Sequence, residues 1–126
     1  MSLSVAAKNS ILDAILNATA YSITTAYASL HTADPGLTGA SEASGGSYAR
    51  QAVSGAGSAA SGAETNSTKI TFPAPTAVEY THLGIWLHLT NSTAADFVWG
   101  GPLDTPVTGD GTNPISFAID AITLKL

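Results

Sequence analysis

The clearest pattern of apolar and polar positions in the chain lies at Thr81-His82-Leu83-Gly84-Ile85-Trp86-Leu87-His88-Leu89. Leu83, Ile85, Leu87 and Leu89 fall on one side of an extended chain, and His82, Gly84, Trp86 and His88 on the other. A period of two over that length predicts a central strand with one face in the core. What covers the other face, with Trp86 at its middle, is left open by the pattern.

A period near 3.6 appears in one place. Across Ser4 to Asn17, Ile11, Leu12, Ile15 and Leu16 form an apolar stripe, with Asn9, Asp13 and Asn17 opposite. Ser4 suits the N-cap, and Asn17-Ala18-Thr19 makes a weak stop. Four such aliphatics contribute about 1.5–3 kcal/mol each when buried, so the stripe is expected to find a partner. Two surfaces qualify: an edge or end of the chain's own sheet, or a neighbouring subunit.

The remaining elements read as short strands. Tyr21 to Thr32 is extended, with Ala26, Ala28 and Leu30 on one face and Tyr27, Ser29 and His31 on the other, until Asp34-Pro35-Gly36 stops it. Residues 36–47 form a loop of small residues, long enough to be functional, mobile or an interface. Tyr48 to Val53 and Ser67 to Phe72 are strands around a second Gly/Ala/Ser segment at 54–63, and Pro73 and Pro75 lead stiffly into the central strand. After a turn at Thr90-Asn91-Ser92-Thr93, a return strand over 94–101 places Phe97 and Trp99 on one side and Val98 on the other. Gly100-Gly101-Pro102 closes it, and residues 105–108 can pair briefly before the turn at 109–114. In the last segment the apolar parity is odd through Ile119 and even from Ile122, which requires a bulge or bend near Asp120-Ala121. Seven or eight short strands with turn signals between them predict an all-β fold, an antiparallel β-sandwich (jelly-roll-like) with one N-terminal α-helix. The expected division is a helical segment, residues 1–20, packed on or beside a single sandwich domain, residues 21–126.

Composition narrows the chemistry. A chain of 126 residues can bury a core without staples, and with no cysteine it has no disulfide, thiol nucleophile or thiolate metal site. Nine acidic residues against four basic ones give a charge of −5, the wrong sign for tracking a phosphate backbone, so no nucleic-acid partner is expected. Only 10% of residues are charged, below the usual quarter; neutral Ser, Thr, Gly and Ala fill the surface, a composition suited to a particle surface or a repeated protein contact. Lys8, Asn9, Asp13 and Asn17 interrupt any secretory signal, and no apolar run is long enough to span a membrane.

Catalytic and metal patterns are missing. His82 and His88 share a face but lie roughly 20 Å apart along a strand, too far for one ion, and His31 adds no third fixed ligand. No serine sits in a G-x-S-x-G turn and no carboxylate pair is placed for glycosidase chemistry, so neither catalytic residues nor a cofactor are expected. Asp34 and Glu42 bracket a hydroxyl-rich loop without the spacing of a calcium loop. Asn17, Asn66 and Asn91 each begin an Asn-x-Thr/Ser glycosylation pattern that a Thr/Ser-rich chain produces by chance. The candidate interface or ligand platform is the outward set Trp86, His82, His88, Tyr27 and Tyr48, with Arg50 beside them. Ile11, Leu12, Ile15 and Leu16 are the candidate helix contact.

The block Ser29-Leu30-His31-Thr32-Ala33-Asp34-Pro35-Gly36 with Thr38-Gly39, followed by Gly45-Gly46-Ser47-Tyr48-Ala49-Arg50-Gln51-Ala52, resembles a family of small tailed-bacteriophage virion proteins. These are usually labelled tail fibre proteins, and some head decoration proteins. Ile70 to Ala74, Thr81 to Trp86, Phe97 to Leu103 and the leading helix over Ala7 to Ala14 are similar as well, so the resemblance covers nearly the whole chain. It implies a non-enzymatic component of the virion, at the particle surface. It also implies a homo-oligomer, with a trimer expected, that contacts capsid or tail proteins and in one variant host surface glycans. With 126 residues and no repetitive shaft, the expectation is a capsid (head) decoration protein. The alternative is a tail fibre or tail-tip adhesin that binds host carbohydrate.

Overall fold

A computed structural model describes residues 2–126. Its elements in chain order are β1 (Ser2–Leu3), α1 (Val5–Leu16), β2 (Ala26–His31), β3 (Gln51–Val53), β4 (Ala63–Thr65), β5 (Ile70–Phe72) and β6 (Glu79–Trp86). A 3₁₀ turn at Ala94–Asp96 then leads to β7 (Phe97–Thr108), β8 (Ile115–Phe117) and β9 (Thr123–Lys125). The main sheet has the order β1-β7-β6-β2-β3, and every pairing in it is antiparallel. Two antiparallel ribbons, β4-β9 and β5-β8, form the opposing layer. The fold is mostly antiparallel β-structure with one N-terminal helix, sandwich-like as the patterning predicts, although its second layer is two ribbons and not one continuous sheet.

The core lies between the ribbons and one face of the main sheet. In the β2–β6 register Leu30 opposes Leu83 and Ala28 opposes Ile85, and Ile85 opposes Trp99 across to β7. These side chains are buried with Ile70 and Phe72 of β5 and with Ile122, and Leu124, Ile115 and Phe117 close the layer from the ribbons. The parity break expected near Asp120 separates β8 from β9. Asp120 has φ 62°, and the strands on either side of it join different ribbons. Asn66 ties that bend down from within: its amide donates to the carbonyls of Thr68 and Ala118 at 2.8 and 2.9 Å, and its side-chain oxygen accepts from the Ile122 N–H at 2.9 Å. Buried with both donors engaged, Asn66 is closed to glycosylation. At the 109–114 turn, N–H groups of Asn113 (backbone and side chain) and of Thr112 hold the Asp110 carboxyl down at about 2.

Several elements differ from the sequence expectation. The central strand stops at Trp86, three residues early. The last cross-strand bond runs from the Leu87 N–H to Asp96 O at 2.9 Å, and the Asp96 N–H turns away to Thr93 O, which ends the ladder; Leu87 is only partly buried and Leu89 is 48% exposed. A bulge in β7 leaves Val98 unpaired, since Ile85 opposes Trp99 while Trp86 opposes Phe97. Phe97 and Trp99 therefore face opposite sides of the sheet, contrary to strict alternation. Pro102 does not end the strand; β1 pairs β7 only at Trp99 and Gly100, so the prolines lie where the outer edge of β7 has no ladder to lose. Strands β1 and β4, which the patterning does not predict, are held by tertiary pairing and carry no alternation of their own.

Helix α1 is inverted relative to its expected packing. Ser4, fully buried, caps it by accepting from the Ala7 N–H at 3.0 Å. The face that lies on β7 and the 3₁₀ turn is built of small residues: Ala7 is buried, and Ala6, Ser10, Ile11 and Ala14 are half-buried. Leu12, Ile15 and Leu16 point to solvent, at 54, 70 and 77% exposed. Alanines let the helix axis approach the sheet closely, and larger side chains on that face would hold it off. Neither Leu12, Ile15 nor Leu16 serves as cover for the sheet.

Replacing Asn66 by Ala removes three hydrogen bonds and strands the buried Ile122 N–H. Urea unfolding is expected to show a loss of about 3 kcal/mol, whereas Asn91→Ala on the exposed turn changes stability by less than about 0.5 kcal/mol.

Candidate functional site

The face of the sheet opposite the core carries Tyr27, Ser29 and His31 from β2, His82, Gly84 and Trp86 from β6, and Phe97 and Gly100 from β7. The segment between β2 and β3, residues 32–50, folds back over it. Asp34 starts the reversal by accepting the Gly36 N–H at 2.9 Å, and Gly36 has φ 60°. Pro35 is buried over Gly100, where an added Cβ would lie 2.5 Å from Pro35 Cγ. The Thr32 N–H bonds Ser41 O and the Ala43 N–H bonds Leu30 O, at 3.0 and 2.8 Å, so the loop returns to the end of the strand it left. The stretch expected to be functional, mobile or an interface is the lid of the second face.

Trp86 sits beneath this lid and is 1% exposed. Gly39 (φ 82°) touches the edge of its ring, where a Cβ would come within 2.4 Å of Cη2. Phe97 meets the ring edge-on with centroids 4.9 Å apart, and the Arg50 guanidinium lies 3.8 Å from the ring centroid. Arg50 is 5% exposed and every donor of its fork is used. Nε and Nη2 grip the Glu42 carboxylate at 2.8 and 2.7 Å; Nη1 reaches His88 O and Asn91 O at 2.9 and 2.6 Å; Nη2 also reaches Ser92 Oγ at 3.3 Å. One side chain thus joins the lid, the start of β3 and the turn after β6. Tyr48 completes the group. Its hydroxyl donates to Glu42 Oε2 at 3.0 Å and accepts the Leu30 N–H at 3.1 Å, and its ring stacks on Phe72. Burial, with the Glu42 charge beside it, pushes the Tyr48 hydroxyl well above its ordinary range.

A second buried chain runs under the same lid. Trp86 Nε1 donates to Ser29 Oγ at 2.9 Å, and Ser29 Oγ lies 2.7 Å from His31 Nε2. His31 Nδ1 is 2.7 Å from Ala40 O. A carbonyl only accepts, so the proton is on Nδ1, and Nε2 accepts from Ser29. Burial lowers the His31 pKa below its ordinary 6.5 and keeps the ring neutral in this tautomer. Serine and histidine at this distance have the form of a nucleophile and its base. Both are 0% exposed, however, and the serine oxygen already holds the Trp86 N–H. The pair is a structural relay with no approach for a substrate. Gly84 makes room for it: a Cβ there would lie 2.5 Å from His31 Nε2 and 2.7 Å from Ser29 Oγ.

The candidate platform therefore divides. Trp86, Arg50 and Tyr48 come together, but inside, and Trp86 offers no ring face to a ligand in this chain. Its cover is the 32–50 segment, with α1 lying elsewhere on β7. His82 is half-buried with Nδ1 2.8 Å from Thr81 Oγ1. It opposes His31 across the strands, yet both His31 nitrogens are engaged, and among the described residues no three His, Cys, Asp or Glu side chains gather to hold a metal. Glu42 is held by Arg50 and Tyr48, and Asp34 by its own turn, which accounts for both carboxylates of the calcium candidate. Tyr27 and His88 share a shallow surface groove with Leu87, Leu89 and residues 22–25. His88 is exposed there, 3.5 Å from Asp96. The sequence signals for the buried network were Ser29 and His31 on one face of a strand and the chain's single arginine; what they met across the fold had no local trace.

A family model described as "Podophage GP4 fiber I protein gp80" matches residues 2–125. No curated protein matches the chain.

Arg50→Ala empties a buried guanidinium site and leaves the partly buried Glu42 carboxylate beside Tyr48 without its partner, and chemical denaturation is expected to show a loss of about 3 kcal/mol. His31 gives a pH signature. Because its folded-state pKa is depressed, the unfolded chain takes up a proton first as pH falls through 6.5, and stability drops there until the folded pKa is reached. Above that range His31 contributes no slope. Unfolding free energies measured between about pH 7 and pH 5 should fall more steeply for the natural chain than for His31→Gln, and equal slopes would refute the assignment.

Proposed function

The chain belongs to the podophage fibre family described as "Podophage GP4 fiber I protein gp80", and on that premise we propose that it is a structural module of the tail fibre. It is a non-enzymatic structural protein of the bacteriophage virion and acts at the particle surface. The observation that carries the tail placement is the family description itself, which names a fibre and matches residues 2–125. It favours the second of the two placements the sequence suggested and weighs against head decoration.

The physical character of the fold supports a scaffold. Both faces of the main sheet are covered, one by the ribbons and the other by the 32–50 lid, and the polar groups under the lid are spent on one another. Arg50 uses its whole fork on partners within the chain, and Ser29, His31 and Trp86 form a closed hydrogen-bonded chain. Such an arrangement holds a shape; it has no reactive group open to solvent. Contact with a host glycan through this chain would fall to the exposed groove of Tyr27 and His88, since Trp86 is enclosed.

Electron microscopy of purified virions with an antibody against the folded chain is expected to decorate the tail. Labelling spread over the head shell would replace this reading with head decoration, and absence of the chain from purified particles would remove both.

A further inference from the structure

The solvent face of α1 is as ordered in sequence as its buried face. At 3.6 residues per turn, Ile15, Lys8, Leu12, Val5, Leu16, Asn9 and Asp13 follow one another around an arc of about 160°, and all are exposed. Val5 and Leu12 occupy one row and Asn9 and Leu16 the next, a 4-3-4 spacing that makes the two-row seam of a coiled coil. Val5, Leu12 and Leu16 are 50, 54 and 77% exposed along it. Lys8 and Ile15 flank the seam on one side and Asp13 on the other.

We infer that this face of α1 is the surface through which copies of the chain pair, with their helices parallel. The occupant follows from charge. In a parallel pair, a residue flanking one side of the seam faces the residue five positions later on the opposite flank of its partner. Lys8 and Asp13 are five apart, lie on opposite flanks and carry opposite charge, so each copy brings both halves of the ion pair. An antiparallel pair would set Lys8 flank against Lys8 flank and Asp13 flank against Asp13 flank. Asn9 meets Asn9 across the axis, where a polar residue in the seam sacrifices stability and fixes register. Parallel pairing of identical helices closes about an axis running along them, giving a cyclic assembly. The helix is short, but Ser4 and β7 already hold it formed, so pairing costs little ordering. The inference holds whether the chain sits on head or tail.

The test is analytical ultracentrifugation of the full chain over a concentration series. The natural chain is expected to self-associate, and Leu12→Glu/Leu16→Glu to be monomeric with an unchanged circular dichroism spectrum and melting curve, both sites being solvent-exposed in the single chain. Lys8→Glu should weaken association roughly tenfold, since each pair of helices loses two attractive contacts and gains repulsion. Lys8→Glu/Asp13→Lys should restore it. A natural chain that stays monomeric throughout would overturn the proposal. So would assembly indifferent to Leu12→Glu/Leu16→Glu, or a double charge swap no tighter than Lys8→Glu alone. None of these outcomes bears on the electron microscopy, so failure here and failure of the fibre reading are separable.

Discussion

The ion pair of Arg50 with Glu42, laid over the ring of Trp86, is the constraint on which the second face of this fold depends. A buried charge is tolerable only when its partners are complete, and here every donor of the guanidinium is met. Arg50, just before β3, joins its own stretch to two others: the lid, through Glu42, and the turn after β6, through His88, Asn91 and Ser92. Satisfying one side chain therefore fixes where all three must be. The aromatic ring below contributes its π-face as a further partner, and lysine at this position would supply neither the planar fork nor the stacking.

Small residues make that closure possible. Gly39, Gly84 and Gly100 each stand where a Cβ would run into Trp86, the Ser29–His31 pair or Pro35. The same economy recurs at α1, where alanines set the helix close to β7. Close backbone approach on one face leaves the large aliphatics of the helix on the other. A chain with so few charged residues tends to hold itself together this way, through hydroxyls, carbonyls and near contact. It also leaves apolar surface outward at the one element whose pattern is that of a pairing seam. An inert, closed body suits a virion component, and the proposed pairing through α1 would give that body a face for association.

Much of this was legible along the chain. The alternation at Leu83 and Ile85, the parity break at Asp120 and the proline-glycine stop at Asp34 to Gly36 are local signals, because side-chain direction in a strand and backbone freedom in a turn are set by neighbouring residues. The helix was equally plain in its extent, since its cap and its period are local too. Its orientation was not. A stripe of Ile11, Leu12, Ile15 and Leu16 reads as the buried face by hydrophobicity alone, yet only Ile11 of the four turns toward the sheet, beside the alanines, because the space above β7 admits a close axis.

By itself, then, the sequence determined the fold class, the strands with a clean period, the absence of thiol chemistry and the family likeness. Tertiary structure decided what became of Trp86. Parity placed it opposite Leu83 and Ile85 but could not say what lay above it, because its cover arrives from residues 32–50 through contacts that have no period. It also decided the Val98 bulge, which turns Phe97 toward Trp86 and Trp99 toward the core. The physical reason is the same in both cases. Pattern reports which way a side chain points from its own backbone, and only the assembled fold supplies the partner that it meets there.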